Sequence, residues 1–232
     1  MGKRIISQAR GKGSHTYRVR KKAFIYKVGY PVMEGEIEVI KLIQSAAHSA
    51  PLMKLKVGNK IFYNVAFESV YEGQRVKIGG SEPSEGNILS LKDIPVGTRI
   101  FNIERNPGDG GKMIRTAGSS AIVNKIYENS KVGVTMPNRK EVIFNQGCRA
   151  TIGTIAGEGR KQKPFMKAGR MFYKMKSKGK LYPRVSAVAV NAIDHPFGSG
   201  RGKRIKSKVA KRNAPPGRKV GHIRPRKTGK KR

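Results

Sequence analysis

The sequence predicts a mainly β protein, with two small barrels in tandem between long basic extensions. Three observations predict it. Short segments with apolar alternation recur from residue 35 to residue 156, separated by turn residues, with few helical patterns among them. Charge is zoned: residues 1–33 carry nine Lys and Arg and no acid, residues 34–158 carry sixteen bases and thirteen acids, and residues 159–232 carry twenty-five bases against one acid, Asp194. The flanks, rich in Gly, Lys and Arg, lack the apolar content that offsets chain entropy on folding, and are expected to order on a partner.

The first group of strands opens at residues 35–44 (GEIEVIKLIQ), where Glu36, Ile37, Glu38 and Val39 alternate. Residues 52–57 (LMKLKV) and 60–67 (KIFYNVAF) lie across Gly58-Asn59, a two-residue hairpin signal. Residues 74–79 (QRVKIG) end the group, and Gly79-Gly80-Ser81 with Pro83 mark a boundary. The second group comprises residues 98–104 (TRIFNIE), 120–127 (SAIVNKIY), 131–136 (KVGVTM), 140–144 (KEVIF) and 148–156 (CRATIGTIA). Pro137-Asn138-Arg139 is a turn inside it. Each group suffices for one small closed barrel, marginal alone; a single larger sandwich is the alternative. In the tail, residues 167–176 predict a short helix, since AGRMFYKMK has no internal proline.

The net charge of +36 on 232 residues, with a pI near 10.8, opposes a compact isolated state. A polyanion would relieve that repulsion, and nucleic acid is the usual one. An anionic membrane surface is the rival, but no long amphipathic helix with an aromatic or leucine face is apparent. Bases from Lys3 to Lys27 argue against a secretory leader. The best candidate for a span, Val185 to Ile193, contains Ser186 and Asn191 and is far short of a membrane span. The single cysteine, Cys148, forms no internal disulfide, and four scattered histidines (His15, His48, His195, His222) give no zinc-ligand spacing.

Three stretches invite chemistry. Pro107-Gly-Asp-Gly-Gly-Lys112 looks like a phosphate loop, yet its spacing fails and Met113 stands where a metal-binding hydroxyl is needed. A glycine-rich turn that admits an RNA backbone, or a plain hairpin turn, fits better. In the tail, Phe165, Phe172, Tyr173 and Tyr182 either stack on unpaired bases or pack on a barrel. Asp194-His195 reads as a catalytic pair, a metal ligand set or a shaped contact for a polyanion. Neighbours in an extended chain point to opposite sides, and the tail has no second acid, so a tight loop stiffened by Pro196 and folded through Gly198, Gly200 and Gly202 is the simpler reading.

PGDGGK (107–112), RTAGSSA (115–121), CRATIG (148–153), KAGR (167–170), VAVNAIDHPFGSG (188–200) and RNAPPGRKVG (212–221) occur in the order found in the large-subunit ribosomal protein L-two family. The chain resembles its archaeal type over essentially the whole length. The resemblance implies an oligonucleotide-binding-fold barrel at 34–82 and an SH3-like barrel at 83–158. It implies a basic RNA-binding extension at 1–33 and another, at 159–232, reaching toward the peptidyl-transferase centre. It places Asp194, His195, Pro196, Phe197, Gly198 and Gly200 near that centre, with no catalytic residue and peptidyl transfer left to the RNA. Expected RNA contacts are Lys3, Arg4, Arg10, Lys12, Arg18, Arg20, Lys112, Arg115, Arg160, Lys163, Lys167, Arg170, Arg201, Lys203, Arg204 and Arg218. Expected partners are large-subunit ribosomal RNA, neighbouring large-subunit proteins and, through an intersubunit bridge, the small subunit. No membrane is implied, and no cofactor beyond magnesium ions that accompany RNA. Two details depart from the bacterial pattern: Phe197 replaces a second histidine, and Ser199 interrupts a run of glycines. An RNA-modifying enzyme with His195 as base, and a general architectural nucleic-acid binder, are the other classes to test.

Overall fold

The computed structural model describes residues 2–200 and 207–224. The chain divides into two compact units, one spanning Lys21–Met166 and the other joining Met1–Arg20 to Lys167–Arg232.

In the Lys21–Met166 unit, β1 (Gly35–Ile43) carries the predicted alternation, with Ile37 and Val39 buried and Glu36 and Glu38 exposed. β2 (Leu52–Val57) and β3 (Lys60–Val65) pair antiparallel across Gly58-Asn59, closing on Val57 opposite Lys60. β4 (Arg75–Ile78) lies antiparallel to β1. The second group contains β5 (Ile88–Ser90), β6 (Arg99–Phe101), β7 (Ala121–Tyr127), β8 (Lys131–Thr135), β9 (Glu141–Asn145) and β10 (Arg149–Ile152). All ten form one sheet in the order β3-β2-β1-β4-β5-β10-β6-β7-β8-β9. Just past β3 and β10, Phe67 bridges Ile155 antiparallel and closes the first run of strands on itself. The protein is thus mainly β, an oligonucleotide-binding-fold barrel followed by an SH3-like barrel, and the sandwich alternative is set aside.

The first core gathers Ile37, Val39, Leu52, Leu55, Phe67 and Val76, together with Tyr30 from before β1 and Ile88, Phe101, Ala117 and Ile155 from beyond Pro83. The second gathers Leu89, Leu91, Ile100, Val123, Val132, Val134, Phe144, Cys148 and Ile152. Neighbours along shared strands serve different cores: Ile88 the first and Leu89 the second, Phe101 the first and Ile100 the second. Successive side chains of a strand face opposite ways, so these strands form a wall buried on both sides. Fully burying each such side chain contributes about 1.5–3 kcal/mol.

Several strands end earlier than their apolar runs. β6 stops at Phe101 because Asn102 turns the chain with φ +48°, and β10 stops at Ile152 because Gly153 takes φ +115°. Ile88–Ser90 was not read as a strand from the sequence, since three residues without alternation carry no period-2 signal.

The other unit is held together differently. It contains α1 (Ile6–Gly11), α2 (Ala168–Ser177) and a parallel pair, β11 (Val209–Ala210) with β12 (His222–Ile223). The helix expected over 167–176 begins one residue later, with Lys167 extended at its N-cap. Among the described residues of this unit, Ile5 and Ala210 are the buried apolar side chains. The same unit holds 28 of the 50 Lys and Arg and one of the 14 acids.

Candidate nucleic-acid interface

The Asp-His-Pro segment folds as consecutive tight turns. The backbone N–H groups of Asp194 and His195 donate to the Asn191 carbonyl at 3.0 and 3.3 Å, Gly198 N–H to His195 O at 2.9 Å, and Ser199 N–H to Val190 O at 3.0 Å. Gly198 is buried where a Cβ would overlap the carbonyl oxygens of Asn191 and Val190, so no other residue fits without moving the turn. Ser199 takes φ +77°, a conformation that glycine adopts without strain.

His195 is half-buried, and its Nδ1 accepts the Phe197 backbone N–H at 3.0 Å. That contact assigns the lone pair to Nδ1 and places the proton of the neutral ring on Nε2. Nδ1 then has no proton to give Asp194, so the pair lacks the carboxylate–imidazole link of a catalytic dyad. The Phe197 ring meets His195 edge-on, centroids 5.0 Å apart. It also lies against Gly221, where a Cβ would come within 2.7 Å of its rim.

The N-terminal arm packs on this loop. Lys3 N–H donates to Ile193 O at 2.8 Å. A cleft of about 470 Å³ is lined by Lys3, Arg4, His195 and Arg218, along with Gln8 and Pro196. A second cleft, of about 480 Å³, has Phe197, Lys211, Arg218 and Arg224 in its walls. Lys211 and Arg224 were not singled out from the sequence, because nothing in a uniformly basic tail marks which cations line a concavity.

The remaining expected contacts are spread along both units. Lys3, Arg4, Arg10, Lys12, Arg18, Arg20, Lys163, Lys167, Arg170 and Arg218 are exposed. Arg10 lies in the last turn of α1, and Lys12 caps it. Arg160 sits in a short 3₁₀ turn, Glu158–Lys161, its Nε buried without a hydrogen-bond partner. Arg201, Lys203 and Arg204 lie outside the described residues. On α2, Phe172 and Tyr173 are exposed, their rings edge-to-face with centroids 5.6 Å apart.

The loop at 107–112 is built around two carboxylates, Glu104 buried and Asp109 partly buried, rather than around an open phosphate cradle. Glu104 is fully buried and accepts the backbone N–H groups of Gly108 and Gly110 at 3.1 and 3.0 Å. Arg149 grips the same carboxylate through its backbone N–H at 2.9 Å, Nε at 3.2 Å and a terminal nitrogen at 2.8 Å. Burial pushes the Glu104 carboxyl up, but the Arg149 and backbone hydrogen bonds outweigh it and hold the group below its ordinary range. Asp109, also held low by backbone donors that outweigh its burial, accepts N–H groups from Arg105, Asn106 and Gly111 and pairs with Lys112 at 3.7 Å.

Arg115 is half-buried and engaged inside the protein. It donates to Asn102 Oδ1 at 2.6 Å, to Val28 O at 3.2 Å and to Gly111 O. Asn102 in turn donates to Asn64 Oδ1 at 2.8 Å, and Tyr30 donates to Asn102 O at 2.7 Å while sharing a hydrogen bond with Thr151. Asn64 within β3 and Asn102 just past β6, each set in an apolar run of the sequence, carry this buried network.

Among the described residues no helix is long and apolar enough to cross a membrane. The family model for the C-terminal domain of ribosomal proteins L2 matches residues 84–217. Over the full length of both proteins, the chain is 47% identical to large ribosomal subunit protein uL2 of Archaeoglobus fulgidus. It is 44% identical to that of Korarchaeum cryptofilum, covering 99% of this chain and 96% of the relative. It is 42% identical to that of Methanococcus maripaludis over the whole of both. With tandem barrels, a basic unit of little core and end-to-end similarity of this strength, the chain belongs to the uL2 family of large ribosomal subunit proteins.

Proposed function

We propose that this protein is a structural constituent of the large ribosomal subunit in the cytoplasm, and that it binds large-subunit ribosomal RNA chiefly through the unit formed by its two termini. One observation carries the reading: the unit with 28 bases and one acid buries only Ile5 and Ala210 as apolar side chains among its described residues. Such a unit has little core to oppose its own charge repulsion, and a phosphate backbone supplies the missing counter-charge. Lys3, Arg4, Arg10, Lys12, Arg18, Arg20, Lys163, Lys167, Arg170 and Arg218 contact phosphates in this reading, and RNA shape rather than base-edge recognition selects the site. Arg115 and Glu104 instead keep the barrels and their loop in shape.

In the same reading the Asp194–Gly200 loop lies near the peptidyl-transferase region, where it positions RNA and takes no proton. The capped Nδ1 of His195 supports this, because a general base needs a free lone pair aimed at its substrate. Subunit assembly, contacts with neighbouring large-subunit proteins and an intersubunit bridge to the small subunit belong to the proposal. Magnesium ions enter only with the RNA.

Co-sedimentation with large subunits after a high-salt wash, with crosslinks mapped on the RNA, is the test. Retention with crosslinks clustered in the two terminal segments is expected. Loss from subunits, with duplex DNA bound as tightly as ribosomal RNA at matched salt, would make the protein a general architectural binder. Turnover of isolated RNA that vanishes in His195→Ala would make it an enzyme.

A further inference from the structure

Helix α2 is amphipathic in an inverted sense. Its half-buried positions are Met171, Lys174, Met175 and Ser177, while Gly169, Phe172, Tyr173 and Lys176 form an exposed stripe at i, i+3, i+4 and i+7. A helix that docks on its own protein turns its largest apolar groups inward. Here Tyr173 is 70% and Phe172 39% exposed. The ammonium of Lys176 sits 5.6 Å from the Phe172 centroid. A Cβ on Gly169 would touch nothing within 4 Å, so the stripe is open beside the rings.

The charge around this stripe selects its occupant. From Arg160 to Ile193 the chain contains no acid; Lys167 and Arg170 precede the two rings in sequence, and Lys174, Lys176, Lys178 and Lys180 follow them. A protein partner would need a dense acidic face with an apolar centre. Single-stranded RNA has both requirements in its covalent structure, a phosphate chain bearing flat, stackable bases. We propose that the outer stripe of α2 is a stacking platform for unpaired bases of RNA, with Tyr173 and Phe172 as the platform and Arg170 and Lys176 on the flanking phosphates.

The proposal rests on the ribosomal-RNA reading above, and its test separates the two. Full-length protein and its variants are titrated with large-subunit ribosomal RNA across a salt series, and complexes are irradiated to crosslink stacked bases. Replacing both rings by leucine keeps apolar bulk and helix propensity. The double variant F172L/Y173L should lose affinity on the order of 10- to 100-fold at every salt concentration with an unchanged salt slope, because stacking releases no counterions. Tyr173→Phe should bind like the parent. Arg170→Gln and Lys176→Gln should each lower the salt slope by about one. The parent should crosslink at Tyr173 or Phe172 to unpaired nucleotides. Parent binding with no crosslink at either ring, or a double variant that binds RNA normally, overturns the platform and leaves the RNA reading standing. A parent that prefers an acidic protein to the RNA, or that fails to bind the RNA at all, overturns both. Circular dichroism of the double variant establishes that α2 is intact; affinity lost together with helix content, and with no parent crosslink, also overturns the platform.

Discussion

The backbone N–H of Phe197 donates to Nδ1 of His195 at 3.0 Å. The backbone amide at position 197, and not the Phe197 side chain, therefore fixes Nδ1 as the acceptor and leaves the proton of the neutral ring on Nε2. His195 meets its surroundings as an Nε2–H donor. Glutamine carries an N–H at a comparable distance from its Cα, so His195→Gln should assemble into large subunits that form peptide bonds at near-parent rates. His195→Ala should lower incorporation into subunits more than the rate of those assembled. Purified particles assayed for single-turnover peptide transfer check this; a loss of several orders of magnitude in fully assembled His195→Gln particles would restore a chemical role.

Ser199 and Gly198 give opposite predictions from adjacent positions. Ser199→Gly relieves a left-handed serine and should stabilise the loop by about 1 kcal/mol. Gly198→Ala forces a methyl group onto two carbonyl oxygens and should loosen it. Hydrogen exchange at the Ser199 amide, which is bonded to Val190 O, reads both effects.

Glu104 and Arg149 form an ion pair at 2.8 Å with the carboxylate wholly buried. Glu104→Ala leaves the Arg149 guanidinium without its carboxylate, and the Gly108, Gly110 and Arg149 amides without their acceptor, and should cost about 3–5 kcal/mol in denaturant melts. The pair also carries a pH signature. Because the folded carboxyl is held below its ordinary value of about 4.3, the unfolded chain takes up a proton first on acidification. The stabilisation is complete above that ordinary value and is lost as pH falls through the lower, folded one. Glu104→Gln should flatten this segment of the stability curve.

Cys148 is fully buried, and burial, with Glu104 nearby, pushes its thiol up to about 11. A thiol-specific reagent at pH 8 should leave the native protein unmodified and label one group on unfolding. The sign with pH is opposite to that of Glu104: above about 8.5 the unfolded thiol ionises first, so the native state loses stability as pH rises. Rapid labelling at pH 8 without denaturant would contradict the burial.

Removing the terminal unit tests where the phosphates bind. A fragment of residues 21–166 should bind ribosomal RNA with a much shallower salt slope than the full chain, since most of the excess charge is gone. A fragment starting at residue 34 would lack Tyr30, whose hydroxyl reaches Asn102 and Thr151, and should melt at lower denaturant.

How much was legible in the sequence depended on how many sides of a strand are buried. β1, with water on one face, announced itself through Glu36, Ile37, Glu38 and Val39. The strands between the cores were harder to read, because Ile88-Leu89 and Ile100-Phe101 are apolar at consecutive positions and show no period: β6 was legible within the longer run 98–104, whereas β5, three residues long, was missed. The glycines near residue 80 read as a boundary, yet Ile78 pairs with Ile88 across them and the sheet runs on. In the basic unit, charge and family resemblance drew attention to His195. The state of its ring was not readable, because that is set by a backbone amide two residues away. The direction of Phe172 and Tyr173 was equally hidden, since an aromatic pair in a helix looks the same facing in or out.

The wall of shared strands has a thermodynamic consequence. With Ile88 and Leu89 committed to different cores, a one-residue slip of β5 would carry a polar neighbour, Asn87 or Ser90, into one of them. Two barrels that share such a wall cannot be loosened separately: a substitution that shifts β5 or β6 is felt in both cores, so the stability of one barrel is tied to that of the other.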